Sequence, residues 1–389
     1  MGLATAPLPI AVLDDSQRLA CLRLIRSENV GPVTFRELIN HFGGAEAALA
    51  ALPEMSRHGG RRRPISICPR DVAEAELTAA EKAGARALFT IEPGFPKALT
   101  HVTGSPPMIY VRGHTALLAR DAVAIVGARN GSAAGITLTR QFAAGFGANG
   151  YVVVSGLARG IDGAAHEASL ATGTIAVLAG GIDHVYPPEH ADLTARIAAE
   201  GCLVAEQPPG FTPRAQDFPR RNRIIAGLAL GVLIVEAAKR SGSLITARMA
   251  GDQGREVFAV PGHPLDPRAE GTNGLLKQGA TMVTELKDVL DVLAPMREAR
   301  GALAAAPAVK HLDERPSPAD YAPPTALPAD HRATVLSALG PAPVSLDAIA
   351  QATGLPMRAV RVVLLELALA GRLEQHGSQL VSLLPGGDT

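Results

Sequence analysis

The stretch Ala122–Gly135, AVAIVGARNGSAAG, combines a short apolar strand, a turn and the start of a helix. Gly127 ends the apolar run and allows a ligand to approach the backbone. A helix is predicted to begin near Ser132, where its free N–H groups can bind an anion. Arg129 adds a guanidinium whose fork geometry suits phosphate. The stretch predicts a strand–turn–helix unit of an α/β fold, with either a plain connection or an anion-binding turn.

Strand-like apolar runs continue on both sides of this stretch, and helix-forming segments separate most of them. The runs are RALFTI (86–91), PMIYVRG (107–113), YVVVSGLARG (151–160), TIAVLAGG (174–181), CLVAEQ (202–207), GVLIVEA (231–237) and EVFAVPG (256–262). Continuous apolar strands indicate a parallel sheet covered by helices on both faces. Such sheets bind ligands at the carboxyl ends of their strands, where this chain places Gly, Ser and Arg residues. The sequence therefore predicts a parallel α/β core over residues 83–293.

Smaller modules flank the predicted core. Residues 15–75 carry apolar residues at helical spacing between glycine-containing turns, which predicts an all-α module. Residues 294–328 are rich in Ala and Pro and predict a flexible linker. Residues 329–384 predict two helices, a turn at Gly354, a third helix and a two-stranded wing closed at Gly377. This order of elements predicts a winged helix-turn-helix module.

Composition limits the possible function classes. The chain has 389 residues, a formal net charge of +0 and 47% hydrophobic residues, which is sufficient for a large core. No apolar run approaches the roughly 18 residues of a membrane helix, and no signal peptide is evident at the N-terminus. Cys21, Cys68 and Cys202 are far apart in sequence, which predicts neither a zinc ribbon nor disulfides and favours a cytoplasmic location. Any nucleic-acid binding must depend on local charge.

Positive charge is concentrated in one segment, between Phe211 and Arg255. Its eight Lys/Arg residues stand against three Asp/Glu residues, which leaves a net charge of +5 in a neutral chain. The cations are Arg214, Arg220, Arg221, Arg223, Lys239, Arg240, Arg248 and Arg255. This density favours an anion-binding site over a solvated surface turn.

Two turns in this segment combine cations with other hydrogen-bond donors. Arg221, Asn222 and Arg223 are predicted to precede a helix, so that their side chains and its N-terminus point the same way. The turn RSGS (240–243) follows the next strand and offers hydroxyl and backbone donors. Anion sites in successive loops along one sheet edge suit a polyanion better than a single phosphate. Phe218 offers either a stacking face for a base or a core contact.

Two polar clusters favour structural roles. Asp162 and His166 lie one helical turn apart, which allows acid–base chemistry but fits helix capping by Asp162 better. The spacing of three further residues matches no standard set of metal ligands. These residues are Asp183, His184 and His190. The sequence therefore predicts no catalytic residue, no metal and no cofactor.

Five stretches resemble the core of the DNA-processing protein A (DprA/Smf) family. They are AIVGAR (124–129), SGLARGIDGAAHEASL (155–170), TIAVLAGGIDHVYPPEH (174–190), FPRRNRIIAGLALGVLIVEAAKRSGSLITARMAGDQGREVFAVPG (218–262) and EGTNGLLKQGA (270–280). The similarity covers about residues 96–293 in the order typical of the family. The N-terminal module is similar to the sterile-alpha-motif or helix-hairpin-helix (SAM/HhH-like) domain of some members. The C-terminal module resembles the winged-helix domain of the family.

The resemblance implies an extended Rossmann-like core that dimerises and binds single-stranded DNA without enzymatic turnover. It also implies protection of incoming single strands during natural transformation, displacement of single-strand-binding protein and loading of RecA. By position it implies a DNA site formed by Gly127, Arg129, Ser155, Gly156, Arg159, Arg221, Asn222, Arg223, Ser241, Gly242 and Ser243. The charge pattern adds Arg214, Lys239 and Arg240, and the stacking face adds Phe218. Ala215 stands where some members have a lysine, and the adjacent Arg214 is the candidate substitute.

An enzymatic alternative is a nucleotide phosphoribohydrolase of the lysine-decarboxylase-like group. That group places a catalytic glutamate in a PGGxGTxxE signature. The corresponding loop here is RSGSLITAR (240–248), with Ala247 and Arg248 where an acid is required. Glu236 is the acid that would support this alternative.

A second alternative is a transcription regulator that acts through the winged helix. Arg358 and Arg361 are the only cations of the predicted third helix, PMRAVRVVLLELALAG. Residues 329–389 also contain more acids than Lys plus Arg, which disfavours binding to duplex phosphates. Partner binding or a weak DNA contact suits this module better.

Overall fold

The chain folds into two compact units in a computed structural model that describes residues 12–100, 102, 104–305, 329–376 and 380–384. The first unit contains the described parts of residues 1–75, 89–93 and 310–389. The second unit contains residues 76–88 and the described part of 94–309. None of the described helices is long and apolar enough to cross a membrane.

The N-terminal residues form short helices, as predicted. These are α1 (Asp15–Arg26), α2 (Pro32–Phe42), α3 (Ala45–His58) and α4 (Arg70–Lys82). Asp14 caps α1 by accepting the N–H of Gln17 at 2.8 Å, and the Gln17 side chain accepts the N–H of Asp14 in return. Gly43 is the C-cap of α2, and its φ of 73° is left-handed and favours glycine. We call α1–α3 the helical module.

The larger sheet has nine strands. They are β1 (Arg86–Phe89), β2 (Met108–Gly113), β3 (Ala122–Val126), β4 (Val152–Ser155), β5 (Thr174–Gly181), β6 (Cys202–Gln207), β7 (Gly231–Ile234), β8 (Glu256–Ala259) and β9 (Thr281–Met282). Their order is β1-β2-β6-β5-β4-β3-β7-β8-β9. Strands β3 to β9 pair in parallel, and β2 runs antiparallel to β6. The predicted parallel-dominated α/β core is confirmed, and only the two-residue β9 escaped prediction.

Helices cover both faces of this sheet. They are α5 (Lys97–Thr100), α6 (Ala133–Ala148), α7 (Ile161–Ser169), α8 (Ala191–Glu200), α9 (Asp217–Leu228), α10 (Gly242–Asp252), α11 (Glu270–Lys277) and α12 (Leu286–Ala305). Along β3, Ala124 and Val126 belong to one hydrophobic cluster, while Val123 and Ile125 belong to another. Because both faces are buried, the strands read as continuous apolar runs.

Helix α12 extends past residue 294, where the predicted linker begins, and continues to Ala305. A linker prediction based on Ala and Pro content misses this helix because alanine is also the strongest helix former. Residues 306–328, the remainder of the predicted linker, lie outside the described residues.

The C-terminal residues form a winged helix, as predicted. Its elements are α13 (Ala329–Ser337), β10 (Val344–Ser345), α14 (Leu346–Thr353), α15 (Met357–Leu369), β11 (Leu373–His376) and β12 (Leu380–Leu383). Strand β12 lies between β10 and β11, and both pairings are antiparallel. Gly377, the predicted tip of the wing, lies outside the described residues.

One buried histidine makes the stability of the core depend on pH. His166 of α7 is fully buried, and its Nδ1 lies 2.7 Å from the Thr174 hydroxyl at the start of β5. Burial is the main cause that lowers the pKa of His166 from 6.5 to about 3. Because the folded pKa is depressed, this contribution to stability is complete above pH 6.5 and is lost as the pH falls towards 3.

We predict that the unfolding free energy of His166→Gln falls less steeply at acid pH than that of the parent chain. Between pH 6.5 and 3 the unfolding free energy of the parent chain should fall by up to ~4 kcal/mol more than that of the variant. Urea denaturation followed by circular dichroism at several pH values measures this difference. Parallel curves for the two proteins would contradict the assignment of this pH dependence to His166.

Candidate nucleic-acid interface

The predicted site residues follow strands whose carboxyl ends meet at one edge of the sheet. Strand β3 pairs with β4 on one side and with β7 on the other, so the direction of winding reverses between β3 and β7. Ligands of open α/β sheets bind at such a reversal. The loops after β3, β4, β5, β6 and β7 therefore form the candidate interface.

Arg221 lies in the scaffold of this edge, contrary to the prediction that it binds DNA directly. Helix α9 begins at Asp217, so Arg221, Asn222 and Arg223 lie inside the helix and do not precede it. The Arg221 side chain is buried. Its Nη1 donates hydrogen bonds to the carbonyl oxygens of Gly156, at 2.7 Å, and of Val177. This guanidinium links α9 to β4 and β5 and is not available to a phosphate.

A buried carboxylate compensates the charge of Arg221. Asp162 accepts hydrogen bonds from the N–H groups of Gly156 and Ala158 at 3.2 and 3.3 Å. Burial raises the pKa of Asp162, and the nearby Arg221 charge opposes this shift. Burial lowers the pKa of Arg221 to about 10, so the guanidinium stays charged at neutral pH. Gly160 is the N-cap of α7, so Asp162 organises the preceding turn and the predicted helix cap is wrong.

Two glycines at the strand ends make room for protein side chains. A Cβ on Gly156 would lie 2.8 Å from a terminal nitrogen of Arg221. A Cβ on Gly127 would lie 2.7 Å from the side chain of Ile161. Packing alone therefore requires glycine at both positions, and the approach of a ligand to them stays a prediction.

Several predicted donors are engaged inside the protein. Ser155 is buried, and its hydroxyl donates to the Ile125 carbonyl at 2.6 Å. Asn222 is buried and donates weakly to the Gly242 carbonyl at 3.4 Å. Ser241 caps α10, and its hydroxyl lies 2.7 Å from that of Ser243. These residues position the loops. Gly242 differs from them because it is exposed, and a Cβ at this position would meet no atom within 4 Å.

The predicted anion site at the start of α6 is already occupied by a carboxylate of the chain. Ser132 is the N-cap of α6, as predicted. Its N–H donates to one oxygen of Glu236 at 2.9 Å, and its hydroxyl donates to the other at 2.5 Å. A Cβ on Gly135 would lie 2.7 Å from the same carboxyl group. Because Glu236 fills this position, the α6 N-terminus does not offer a site for phosphate.

An exposed aromatic and cationic surface lies beside this scaffold. The Arg129 guanidinium lies 5.7 Å from the centroid of the Phe218 ring. The Phe218 ring lies 5.2 Å from the ring of Tyr186, at an angle of 57°. Arg129 and Tyr186 are exposed and Phe218 is half-buried. We call these three residues the stacking cluster; it joins the loops after β3 and β5 to the start of α9.

Tyr186 did not emerge from the sequence as a site residue. It lies in the loop after β5, within the motif IDHVYPPEH. An aromatic residue in a loop at the carboxyl end of a strand was the available signal. The proximity of Tyr186 to Phe218 could not be read from positions 32 residues apart in the chain.

Acids outside the basic segment reduce its effective charge. Arg220 and Arg223 lie 3.5 and 2.5 Å from the same carboxylate oxygen of Glu206. Lys239 lies 3.5 Å from Glu270, and outside the segment Arg159 pairs with Glu189. Arg214 and Arg240 are exposed, and the structure records no ion pair for either within the residues it describes. The charge count along the sequence therefore overstates the positive charge at the surface.

This geometry can hold an extended anion with flat bases better than it can perform hydrolysis. The stacking cluster offers π faces, and Arg129, Arg214 and Arg240 are exposed cations on loops of the same sheet edge. Aromatic faces and cations together bind single strands without selecting a base sequence. Glu236, the acid required by the hydrolase alternative, is hydrogen-bonded to Ser132.

Three family models match this chain. "DNA recombination-mediator protein A" matches residues 86–294, "DprA-like N-terminal HHH domain" matches 15–79, and "DprA winged helix domain" matches 317–379.

Curated relatives and solved structures agree with these matches. Protein Smf of Escherichia coli is 38% identical over 325 residues, which cover 82% of this chain and 81% of that protein. DNA processing protein DprA of Bacillus subtilis is 43% identical over 202 residues, covering 51% of this chain and 68% of the relative. The structure of DprA from Streptococcus pneumoniae matches with a TM-score of 0.60 and 32% identity, covering 72% of this chain and 98% of that one. DprA from Helicobacter pylori, whose structure is described as revealing a single-stranded DNA binding mode, matches with a TM-score of 0.50 and 30% identity, covering 55% of this chain and 96% of that one.

We predict that Arg221→Met destabilises the fold by ~3 kcal/mol or more, because it leaves the buried Asp162 without its compensating charge. Arg129→Ala removes an exposed side chain and should change the unfolding free energy by less than ~0.5 kcal/mol. Urea denaturation of both variants measures the contrast. Adding Asp162→Asn to Arg221→Met should recover part of the loss. Equal stability of the two single variants would contradict the scaffold role of Arg221.

Proposed function

The chain belongs to the DNA recombination-mediator protein A (DprA/Smf) family, and from this we propose that it binds single-stranded DNA along the carboxyl edge of its sheet. The observation that carries the proposal is the stacking cluster, in which Arg129 and Tyr186 both lie close to the Phe218 ring. Bases can stack on the aromatic rings, and the sugar–phosphate chain can follow the exposed cations. Such binding tolerates many base sequences.

The site residues divide into two groups under this proposal. The groups that contact DNA are the stacking cluster and the exposed residues Arg159, Arg214, Lys239, Arg240 and Gly242. Arg221, Asn222, Ser155 and Gly156 hold the loops in place, because each is buried and bonded or packed within the protein. Arg223 is half-buried against Glu206, and its role is to place α9 next to β6.

We further propose that the protein acts as a recombination mediator with protein partners. It protects incoming single strands during natural transformation, displaces single-strand-binding protein and helps to load RecA. It acts in the cytoplasm as a homodimer formed through the Rossmann-like core. The family supports this role, and the domain division 15–75, 83–293, 294–328 and 329–384 is part of the same proposal.

We propose that DNA is bound and not cleaved. The loop 240–248 has Ala247 and Arg248 where the hydrolase alternative needs an acid. Glu236 lies near this loop in the chain, but both of its carboxylate oxygens accept hydrogen bonds from Ser132. A carboxylate held in this way supports the β3–α6 turn and is a poor general base for hydrolysis.

We expect single-stranded DNA to bind more tightly than duplex DNA and to dissociate steeply with salt. Arg129→Ala should lower affinity and reduce the slope of log K against log salt by ~0.7, because one phosphate contact is lost. Phe218→Leu keeps apolar bulk but removes a stacking face, and should weaken binding by ~1–3 kcal/mol with little change in slope. Fluorescence anisotropy with labelled oligothymidine and a duplex of equal length measures both effects.

Arg140→Ala is the charge-matched control for this experiment. Arg140 is an exposed cation of the same unit, but it lies on α6 and pairs with Glu167 at 3.2 Å. Its loss should leave affinity and slope unchanged. Equal effects of Arg129→Ala and Arg140→Ala would place the DNA site elsewhere.

RecA loading provides a separate test of the mediator role. The parent chain should shorten the lag before RecA hydrolyses ATP on single strands coated with single-strand-binding protein. The double variant Arg129→Ala, Phe218→Leu should lose most of this effect, whereas Arg140→Ala should retain it. If the parent chain binds single strands but leaves the lag unchanged, the RecA part of the proposal is wrong.

A further inference from the structure

The third helix of the winged helix, α15, is apolar on two opposite faces. Val360, Val363 and Leu367 lie on one face and form the winged-helix core with residues of the other elements. Leu365 and Leu369 lie on the opposite face, outside that core, yet they are only 6% and 0% exposed. In a DNA-reading winged helix this outer face enters the groove and carries polar side chains. The burial of Leu365 and Leu369 shows that another part of the protein covers it.

The helical module covers this outer face. Helix α15 contacts α2 and α3, which belong to the same compact unit. Asn29 donates from Nδ2 to the Leu369 carbonyl at 3.0 Å, and Arg372 donates to the Gly59 carbonyl at 3.2 Å. These hydrogen bonds therefore join the helical module to the winged helix.

A buried carboxylate lies in the same contact. Glu366 is 2% exposed, and Arg332 of the winged helix donates to it at 2.7 and 2.8 Å. The His58 ring of α3 lies 3.3 Å from Glu366. Because a buried carboxylate needs polar partners on every side, His58 completes an environment that the winged helix alone leaves open.

Glycine at position 59 allows the backbones to approach closely. A Cβ on Gly59 would overlap the Glu366 carbonyl oxygen and would lie 2.8 Å from the Cβ of Ala370. Gly59 has φ of −69°, which any residue adopts, so the backbone conformation alone does not require glycine here. Proximity to α15 is the reason that the structure needs a glycine.

The charges on α15 also disfavour a DNA groove. Arg358 and Arg361 are its cations, and Arg361 lies 3.8 Å from Glu37 of α2. The buried Glu366 adds a negative charge to the same helix. We propose that α15 is a protein-docking helix, whose outer face binds the chain's own helical module and does not read duplex DNA. This inference is independent of the single-strand site in the core.

Gly59→Ala tests the docking without straining the helical module. The added methyl group should prevent the close approach of α15, so amide hydrogen exchange should rise at least ~10-fold in α15 and in the C-terminal half of α3. Exchange in β3, β4 and β5 should stay unchanged. Gly44→Ala is the matched control, because Gly44 precedes the same helix α3 in an extended conformation with nothing within 4 Å of its Cβ position. Unchanged exchange in Gly59→Ala would overturn the proposal.

A milder variant covers the case in which Gly59→Ala loses helical content. Asn29 has φ of 60°, so Asn29→Gly keeps the left-handed turn and removes the hydrogen bond to Leu369. It should raise exchange in α15 and α3 in the same direction but by a smaller factor, and no rise would again overturn the proposal.

Duplex binding by these variants of the whole 389-residue chain separates protein docking from DNA reading. Gly59→Ala should bind a labelled duplex no more tightly than Gly44→Ala does, because the released face remains apolar. A gain of ~10-fold or more on release would overturn the proposal, since it would identify α15 as a DNA-reading helix that the helical module blocks.

Discussion

The buried guanidinium of Arg221 is the interaction on which the candidate interface depends. A buried charge is tolerated only where hydrogen bonds and an opposite charge compensate it. Arg221 meets this requirement with the carbonyls of Gly156 and Val177 and with the nearby charge of Asp162. These contacts fix α9 against the ends of β4 and β5. The start of α9 then presents Phe218 to Arg129 and Tyr186.

The motif FPRRNR therefore contains two kinds of residue, and helical phase separates them. Asp217, Arg221 and Leu228 recur at spacings of four and seven, and all are buried on the inner side of α9. Phe218 and Arg220 lie on opposite flanks of this buried side, where Phe218 is half-buried and Arg220 is exposed. The sequence predicted that this motif belongs to the site but placed the helix start after Arg223. With the start at Asp217, the same periodicity would have assigned Arg221 to the interior.

The strands could be predicted from the sequence, whereas the ion pairs could not. A buried strand is recognised from adjacent residues, but an ion pair joins residues that are far apart in the chain. A strand buried on both faces leaves a local apolar run, whereas β9 and β10, of two residues each, are too short to leave one. The partners of the cations at the candidate interface are distant in the sequence: Glu206 lies in β6, Glu270 lies on α11, and Glu189, the partner of Arg159, follows β5. A charge count along 211–255 includes none of them. The contacts of α15 with α2 and α3 likewise join residues that are far apart in the sequence.

These acids determine how a neutral protein can bind a polyanion. A cation that already has a carboxylate partner must exchange that partner for a phosphate, so its net contribution to binding is smaller than that of an unpaired cation. For Arg159 and Lys239 the exchange is possible because both are exposed. For Arg223 it is not favoured, since the pair with Glu206 is largely buried. If the protein binds DNA as proposed, Arg129, Arg214 and Arg240 supply most of the positive charge that attracts the phosphates. The rings of Phe218 and Tyr186 contribute base stacking, which salt does not screen.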